Sequence, residues 1–172
     1  MEATELRAWL QFAFIAVGGV LGLAAYFQNM RQRRIENALK MISWFKDALR
    51  EGDLAAWEAT FRGSHAWTSK EYLDLEFYYS EGASDGGALA RISDNLEVLC
   101  AELLRKTVEP RFIWFELGQV LGTIKDWTSH VASHRSPSKT LLQDSFPNID
   151  GVFRKYGRKF ETWAVRTITY VE

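Results

Sequence analysis

An uninterrupted run of apolar residues near the N-terminus is the first strong pattern along the chain. Residues 9–27 read WLQFAFIAVGGVLGLAAYF, with no charged side chain and with Gln11 as the only strongly polar one. As a helix, these 19 residues span about 28 Å, close to the ~30 Å hydrocarbon core of a bilayer. Trp9 and Tyr26 lie towards the two ends, where aromatic rings favour the membrane interface. The pattern predicts a transmembrane helix over residues 9–30.

Three other kinds of apolar helix compete with that interpretation. A cleaved signal peptide has a basic start and a shorter apolar stretch, whereas this chain begins MEATELR, although Leu23-Ala24-Ala25 resembles a cleavage site. A buried core helix that is apolar on all sides is rare in so small a domain. A helix lying in the membrane interface needs a strongly polar face, which this segment lacks.

The charges beside the apolar run predict its orientation. Arg31, Arg33, Arg34 and Lys40 follow it, while only Arg7 precedes it. Basic residues next to a span are retained on the cytoplasmic side, and a single reduced cysteine agrees with that compartment. The sequence thus predicts a protein of the inner (cytoplasmic) membrane with an extracytoplasmic N-terminus (1–8), a transmembrane helix (9–30) and a cytoplasmic helical domain (31–172).

Gly18 and Gly22 lie four residues apart within the apolar run. Small residues at this spacing let two membrane helices approach closely, so we expect the pair to pack against a second copy or another membrane protein. The alternative is that glycine is simply common in membrane helices. The run carries no ionisable side chain, which argues against a proton or ion path through this chain alone.

Beyond residue 30, apolar residues recur at steps of three and four, as in amphipathic helices. The first such stripe predicts a helix over about 31–51 and consists of Ile35, Ala38, Leu39, Ile42, Phe45 and Leu49. Gly52 suits the position after its end and Asp53 suits the N-cap of a short next helix. A capping box at 68–71 then predicts a helix to about residue 79, and the composition of residues 80–87 predicts a loop.

Two long helices with matching apolar seams follow on either side of Pro110. The seams are Leu89, Ile92, Leu96, Leu99 and Leu103, then Ile113, Leu117, Val120, Ile124, Trp127 and Val131. A short connection predicts that the two helices pack antiparallel, with the alternative that each seam packs elsewhere in the bundle. Residues 133–138 predict a linker and a further helix follows Pro147, while residues 163–172 fit a helix end or a strand. The fold class is therefore all-α.

The stretch from Asn95 to Arg135 resembles an uncharacterised bacterial family of single-pass, membrane-anchored helical proteins, known only as a domain of unknown function. The shared pattern is a Leu-rich helix, a short turn and a second helix that ends in a Trp, an aliphatic residue and an Arg. Here these are Trp127, Val131 and Arg135. The placement of this stretch after one N-terminal span, a basic flank and a Trp-containing helix is shared as well. The resemblance therefore covers about half the chain and implies a helical architecture and a bacterial membrane. It implies no activity and no site residues.

Charge and composition limit the classes of partner that the chain is expected to bind. The formal net charge is −1, and the part after residue 30 is neutral, so no broad basic surface for nucleic acid is expected. The run Arg31, Arg33, Arg34 fits a membrane flank near anionic lipid. With a single cysteine, Cys100, an internal disulfide is excluded.

Three residues near the end of the second long helix are candidate metal ligands. Asp126, His130 and His134 follow at four-residue steps and could offer three ligands from one helix face. The apolar seam centres near Val120 and Val131, however, which leaves the three residues around its flank. We therefore expect them to be solvated or hydrogen-bonded, and we predict no metal site.

The remaining reactive groups also predict structural roles. Cys100 lies in an apolar helix and is expected to be an inert core thiol. Glu97, Glu102, Glu109 and Glu116 are expected to be solvated. No catalytic residue, cofactor or small-molecule substrate is predicted.

The sequence favours a non-enzymatic membrane-anchored protein that acts through protein–protein contacts, as an accessory subunit, an adaptor or a homo-oligomer. Its seven Trp suit an interaction surface, although core packing explains them equally well. The alternative is a membrane-anchored effector or sensor in a bacterial stress or antiviral response. A metal-dependent enzyme is the third hypothesis.

Overall fold

The computed structural model describes residues 3–55, 57, 87–133, 135–136 and 138–168, and residues 3–6, 8 and 164–168 by their backbone alone. The helices are α1 (Ala3–Asp47), α2 (Gly87–Arg105), α3 (Pro110–His130), α4 (Leu141–Ser145) and α5 (Pro147–Ile168). Within these ranges there is no β-strand, only an isolated bridge between Ala132 and Thr140. The all-helical prediction is confirmed. The predicted helix at 68–79 and the loop residues 80–86 lie outside the described part.

The N-terminal helix α1 joins the apolar run and the first amphipathic stripe without a break. Its 45 residues correspond to about 68 Å, because no proline or glycine interrupts the chain after Gly22. The predicted end near residue 51 is wrong, since α1 ends at Asp47 and a turn follows. Gly52, at φ +90°, lies beyond this turn rather than directly after the helix.

The core of the bundle lies between α2 and α5, which make the most extensive helix contact. Asn148 of α5 binds Glu97 of α2, and Lys155 donates to the Leu104 carbonyl oxygen, so the two helices run side by side in the same direction. The direct contact between α2 and α3 is small by comparison. The structure therefore follows the alternative in which each seam packs elsewhere.

Helix α3 packs against α1, α4 and α5. Trp114 near its start stacks on Phe160 at 4.2 Å between ring centroids, and the Lys125 ammonium lies 5.9 Å from the Phe153 ring centroid. These pairings show that α3 and α5 run in opposite directions. A cluster of aromatic rings fills their contact, formed by Trp114, Phe153, Tyr156, Phe160 and Trp163.

The apolar periodicity identifies most of the core, although Ile35 and Leu49 are only half-buried and two positions depart further. Leu39 is 52% exposed, because the buried face of α1 follows Ala38, Ile42 and Phe45 and the next residue is turned about 100° away. In α3, Leu121 is fully buried, whereas Val120 only packs against the core from its edge. The remaining seam residues of α2 and α3 are buried.

The C-terminal segments contain one helix that the periodicity does not predict. The predicted linker leads into α4, where Thr140 and Gln143 form a reciprocal capping box. The sequence Thr-Leu-Leu-Gln matches that motif. Helix α5 continues to Ile168, so the described residues from 163 onward are helical and residues 169–172 lie outside the description.

Candidate functional site

The first half of α1 is apolar and is not buried against any part of the chain that the structure describes. Its best 18-residue window has a mean hydropathy of 1.9 and none of it is buried. The helix is long and apolar enough to span a membrane. A Cβ built on Gly18 or on Gly22 meets no atom within 4 Å, so the predicted glycine face is open along its length.

The second half of α1 is fixed to the turn between α2 and α3, residues 106–109. The Glu109 amide donates to the Arg34 carbonyl oxygen at 3.0 Å. The Arg34 guanidinium donates to the Val108 carbonyl oxygen at 3.3 Å and lies 3.5 Å from the Glu109 carboxylate. Asn37 donates to the Thr107 carbonyl oxygen at 3.1 Å. We name this set of contacts the joint.

The joint continues into the core one turn further along α1. Ala38, Ile42 and Phe45 are buried in the main hydrophobic cluster, and Lys46 lies 3.2 Å from Glu116 in an exposed ion pair. Exposed pairs of this kind contribute little to stability. The three apolar residues therefore hold α1 on the bundle, and the polar contacts of the joint set its register.

The predicted basic flank divides into two environments. Arg31 and Arg33 are exposed on α1, whereas Arg34 is half-buried in the joint. Two of the three arginines thus remain accessible to solvent or lipid, and the third has a structural partner.

The α2–α3 turn begins with a strained residue. Lys106 has φ +63°, and among the described residues no other side-chain-bearing residue has a positive φ. Its amide donates to the Leu103 carbonyl oxygen and the Thr107 amide donates to that of Glu102. This is the Schellman arrangement that closes a helix, in which the position of Lys106 is usually glycine.

Glutamates that the sequence predicts to be solvated have specific partners instead. The Glu97 carboxylate accepts hydrogen bonds from the Asn148 amide at 2.7 Å and the Ile149 amide at 2.9 Å, so a side chain of α2 caps the N-terminus of α5. Glu102 accepts from the Thr107 hydroxyl at 2.7 Å, which holds its pKa below the usual range together with Arg105. Only Glu116 matches the prediction closely.

Asp53, which the sequence predicts as an N-cap, has partners on other segments; the helix that it would cap lies largely outside the described residues. Its carboxylate receives two hydrogen bonds from the Arg91 guanidinium, at 2.6 and 3.0 Å, and one from the Arg50 amide at 2.9 Å. The Arg91 hydrogen bonds lower the Asp53 pKa most, against the opposing effect of burial. Asp53 therefore ties the turn after α1 to α2, 38 residues away.

The candidates for metal or thiol chemistry are placed as follows. The His130 Nδ1 atom lies 2.7 Å from the Asp126 backbone carbonyl oxygen, and the Asp126 carboxylate pairs with Lys125 at 2.8 Å. His134 lies outside the described residues. In the part that is described, no three His, Cys, Asp or Glu side chains form a metal-binding group. Cys100 is fully buried, and that burial raises its thiol pKa well above the ordinary value.

The described tryptophans divide between core and surface. Trp57 and Trp127 are buried, Trp114 and Trp163 pack against the core from its edge, and Trp9 and Trp44 are exposed. Core packing thus explains four of these six residues, and the expectation of a tryptophan-rich interaction surface applies only to the exposed pair.

Comparisons with known proteins do not assign the chain to a family. No protein-family model, no curated protein and no solved structure matches the chain. The family resemblance of residues 95–135 stays a prediction.

Proposed function

We propose that the protein is a single-pass membrane protein whose helical domain acts through contacts with other proteins. One observation carries the proposal: the apolar half of α1 is wholly exposed, yet it continues without a break into a helix docked in the core. An exposed apolar surface of this size needs a bilayer or a protein to cover it. Its length suits the bilayer.

The same continuity favours an anchor over a cleaved signal peptide. A cut near Ala25 would leave the domain with a free helical stub that still carries Tyr26, Phe27 and Met30, all exposed. Retained as a span, the segment places these apolar side chains at the membrane boundary. The anchor therefore accounts for the whole of α1.

The flanking arginines support an orientation for the proposed span. Although Arg34 is held in the joint of the folded protein, topology is set while the chain inserts, before the bundle has formed. All three arginines after the span therefore count toward cytoplasmic retention. We propose that residues 31–172 face the cytoplasm and residues 1–8 face out.

The proposed action is assembly rather than catalysis, as an accessory subunit, an adaptor or a homo-oligomer. Structural donors engage the carboxylates of Asp53, Glu97 and Glu102, which supports scaffold roles for these groups. The open face at Gly18 and Gly22 supports contact with another span, from a second copy or another membrane protein.

Two measurements test the proposal. Carbonate extraction of native membranes should leave the full-length chain in the membrane pellet, and its release would refute the anchor. A reporter fused after Glu172 should be active only in its cytoplasmic form, and periplasmic activity would overturn the orientation. Proteins crosslinked to the chain in its native membrane would then identify the partner.

A further inference from the structure

The joint determines which end of the bundle lies nearest to the proposed span. Moving along α1 from the span, the first contacts with the bundle are those of Arg34 and Asn37 with residues 107–109. Arg34 follows Met30 by four residues, or about 6 Å of helix. Lys46, three turns further on, reaches Glu116 instead. The α2–α3 turn is thus the end of the bundle closest to the span.

Helix α5 also approaches this end. It runs in the direction of α2, with Lys155 beside Leu104, and against the direction of α3, with Phe160 stacked on Trp114. The second half of α5 therefore lies level with the end of α2 and the start of α3. The end of α2, the start of α3, the second half of α5 and the α2–α3 turn therefore lie at the same end of the bundle.

Among the described residues, that end of the bundle carries more exposed basic side chains than acidic ones. They are Arg31, Arg33, Arg105, Lys106, Arg111, Arg158 and Lys159. Of the acidic residues described at the same end, Glu102 is bound by Thr107 and Arg105 and Glu109 by Arg34, while Glu36 and Glu161 are exposed. We name this surface the basic end.

Two further features distinguish the basic end from a merely solvated surface. Lys106 occupies a left-handed backbone position at which glycine is less strained, so stability alone does not account for a lysine there. Phe112 is 37% exposed and Phe115 is 50% exposed, and the Arg111 guanidinium lies 5.5 Å from the Phe115 ring centroid. Basic and aromatic side chains in combination suit the boundary between water and lipid headgroups.

We propose that the basic end docks on the phosphates of anionic phospholipids, so that the bundle lies against the bilayer rather than standing free of it. This proposal rests on the anchor proposed above, because α1 holds the basic end within a few helical turns of the span. The lipid contact then extends from the arginines of α1 to Lys106 and Arg111 of the bundle.

The test uses the full-length protein in nanodiscs of phosphatidylcholine alone or with about 30% phosphatidylglycerol. Hydrogen–deuterium exchange is measured at residues 105–115. Headgroup docking should slow exchange there about fivefold in the anionic discs. Lys106→Glu with Arg111→Glu should remove that protection.

A double variant at the opposite end is the matched control. Arg135 and Lys139 are exposed and follow the C-terminus of α3, whose 21 residues separate them from the turn by about 30 Å. Arg135→Glu with Lys139→Glu makes the same change in charge and should keep the protection.

The possible results of these experiments distinguish a failure of the docking proposal from a failure of the anchor proposal. Equal exchange in the two kinds of disc, or equal loss in the two double variants, would overturn the docking while the protein still resists carbonate extraction. Extraction of the wild-type chain by carbonate would instead refute the anchor itself. Retained protection in the Lys106→Glu, Arg111→Glu variant would also overturn the docking.

Discussion

Replacing Glu97 by alanine tests the contact that holds α5 on α2. The carboxylate caps two amides in the first turn of α5, at 2.7 and 2.9 Å. Neither amide has an acceptor within its own helix, and negative charge is favoured at that end of the helix dipole. Alanine removes both acceptors and leaves the first turn of α5 against the bundle without its cap.

The structure sets the size of the effect. Loss of a helix N-cap costs about 1 kcal/mol, and a hydrogen bond to a charged group contributes about 1.5–3 kcal/mol net of the bonds to water that it replaces. Because Glu97 is only partly buried, we expect a loss of about 2 kcal/mol. For a chain of this size that corresponds to a fall in Tm of about 4–8 °C.

Thermal unfolding in detergent, followed by tryptophan fluorescence, measures this difference. Glu116→Ala is the control, since it removes only the exposed pair with Lys46 and should cost about 0.5 kcal/mol or less. Glu97→Gln keeps one acceptor oxygen and should fall between the two. If Glu97→Ala lowers Tm no more than Glu116→Ala does, the cap does not stabilise the fold and the reasoning is wrong.

Substitutions in three other parts of the protein have defined outcomes. Lys106→Gly should raise stability by about 1 kcal/mol through relief of the positive φ, while Lys106→Ala should not; equal thermal midpoints would contradict the strain. Because its pKa is lowered in the folded state, Asp53 should contribute stability above about pH 4 that is lost as the pH falls through its folded-state pKa. Denaturant titrations should show a weaker acid dependence in Asp53→Asn, and an unchanged one would refute the role of the pair. Gly18→Ile or Gly22→Ile should weaken crosslinking between spans without lowering membrane content, with Ala13→Ile as control; undiminished crosslinking would mean that the glycines face lipid.

Local periodicity predicts which residues form helices in this fold better than it predicts which helices pack against each other. The seams of α2 and α3 can be recognised in the sequence because buried positions repeat with the helical turn, and the apolar run can be recognised by its length. The same repeat does not identify the neighbour that a seam meets. Leu96 and Leu103 face the core as expected, but their helix packs chiefly on α5, some 50 residues further along the chain.

Polar contacts between distant segments are the part that sequence reasoning missed. Glu97 looks like any surface glutamate of an amphipathic helix, and its partner Asn148 lies 51 residues away. Asp53 fits an N-cap by position, yet Arg91 engages it from 38 residues away. The capping box at Thr140 is different, because its four-residue motif could have been recognised from the sequence.

Because α1 is unbroken, it fixes the rotation of the helical domain about the axis of the span. A continuous helix couples rotation to length, so one residue inserted at 31–33 would turn the span by about 100° relative to the bundle, whereas four would leave it only about 40° out of phase. The face that carries Gly18 and Gly22 therefore keeps a fixed angular relation to the α2–α3 turn. Two copies that paired through that face would bring their bundles together in a single mutual orientation, and a partner that twisted the span would turn the domain with it.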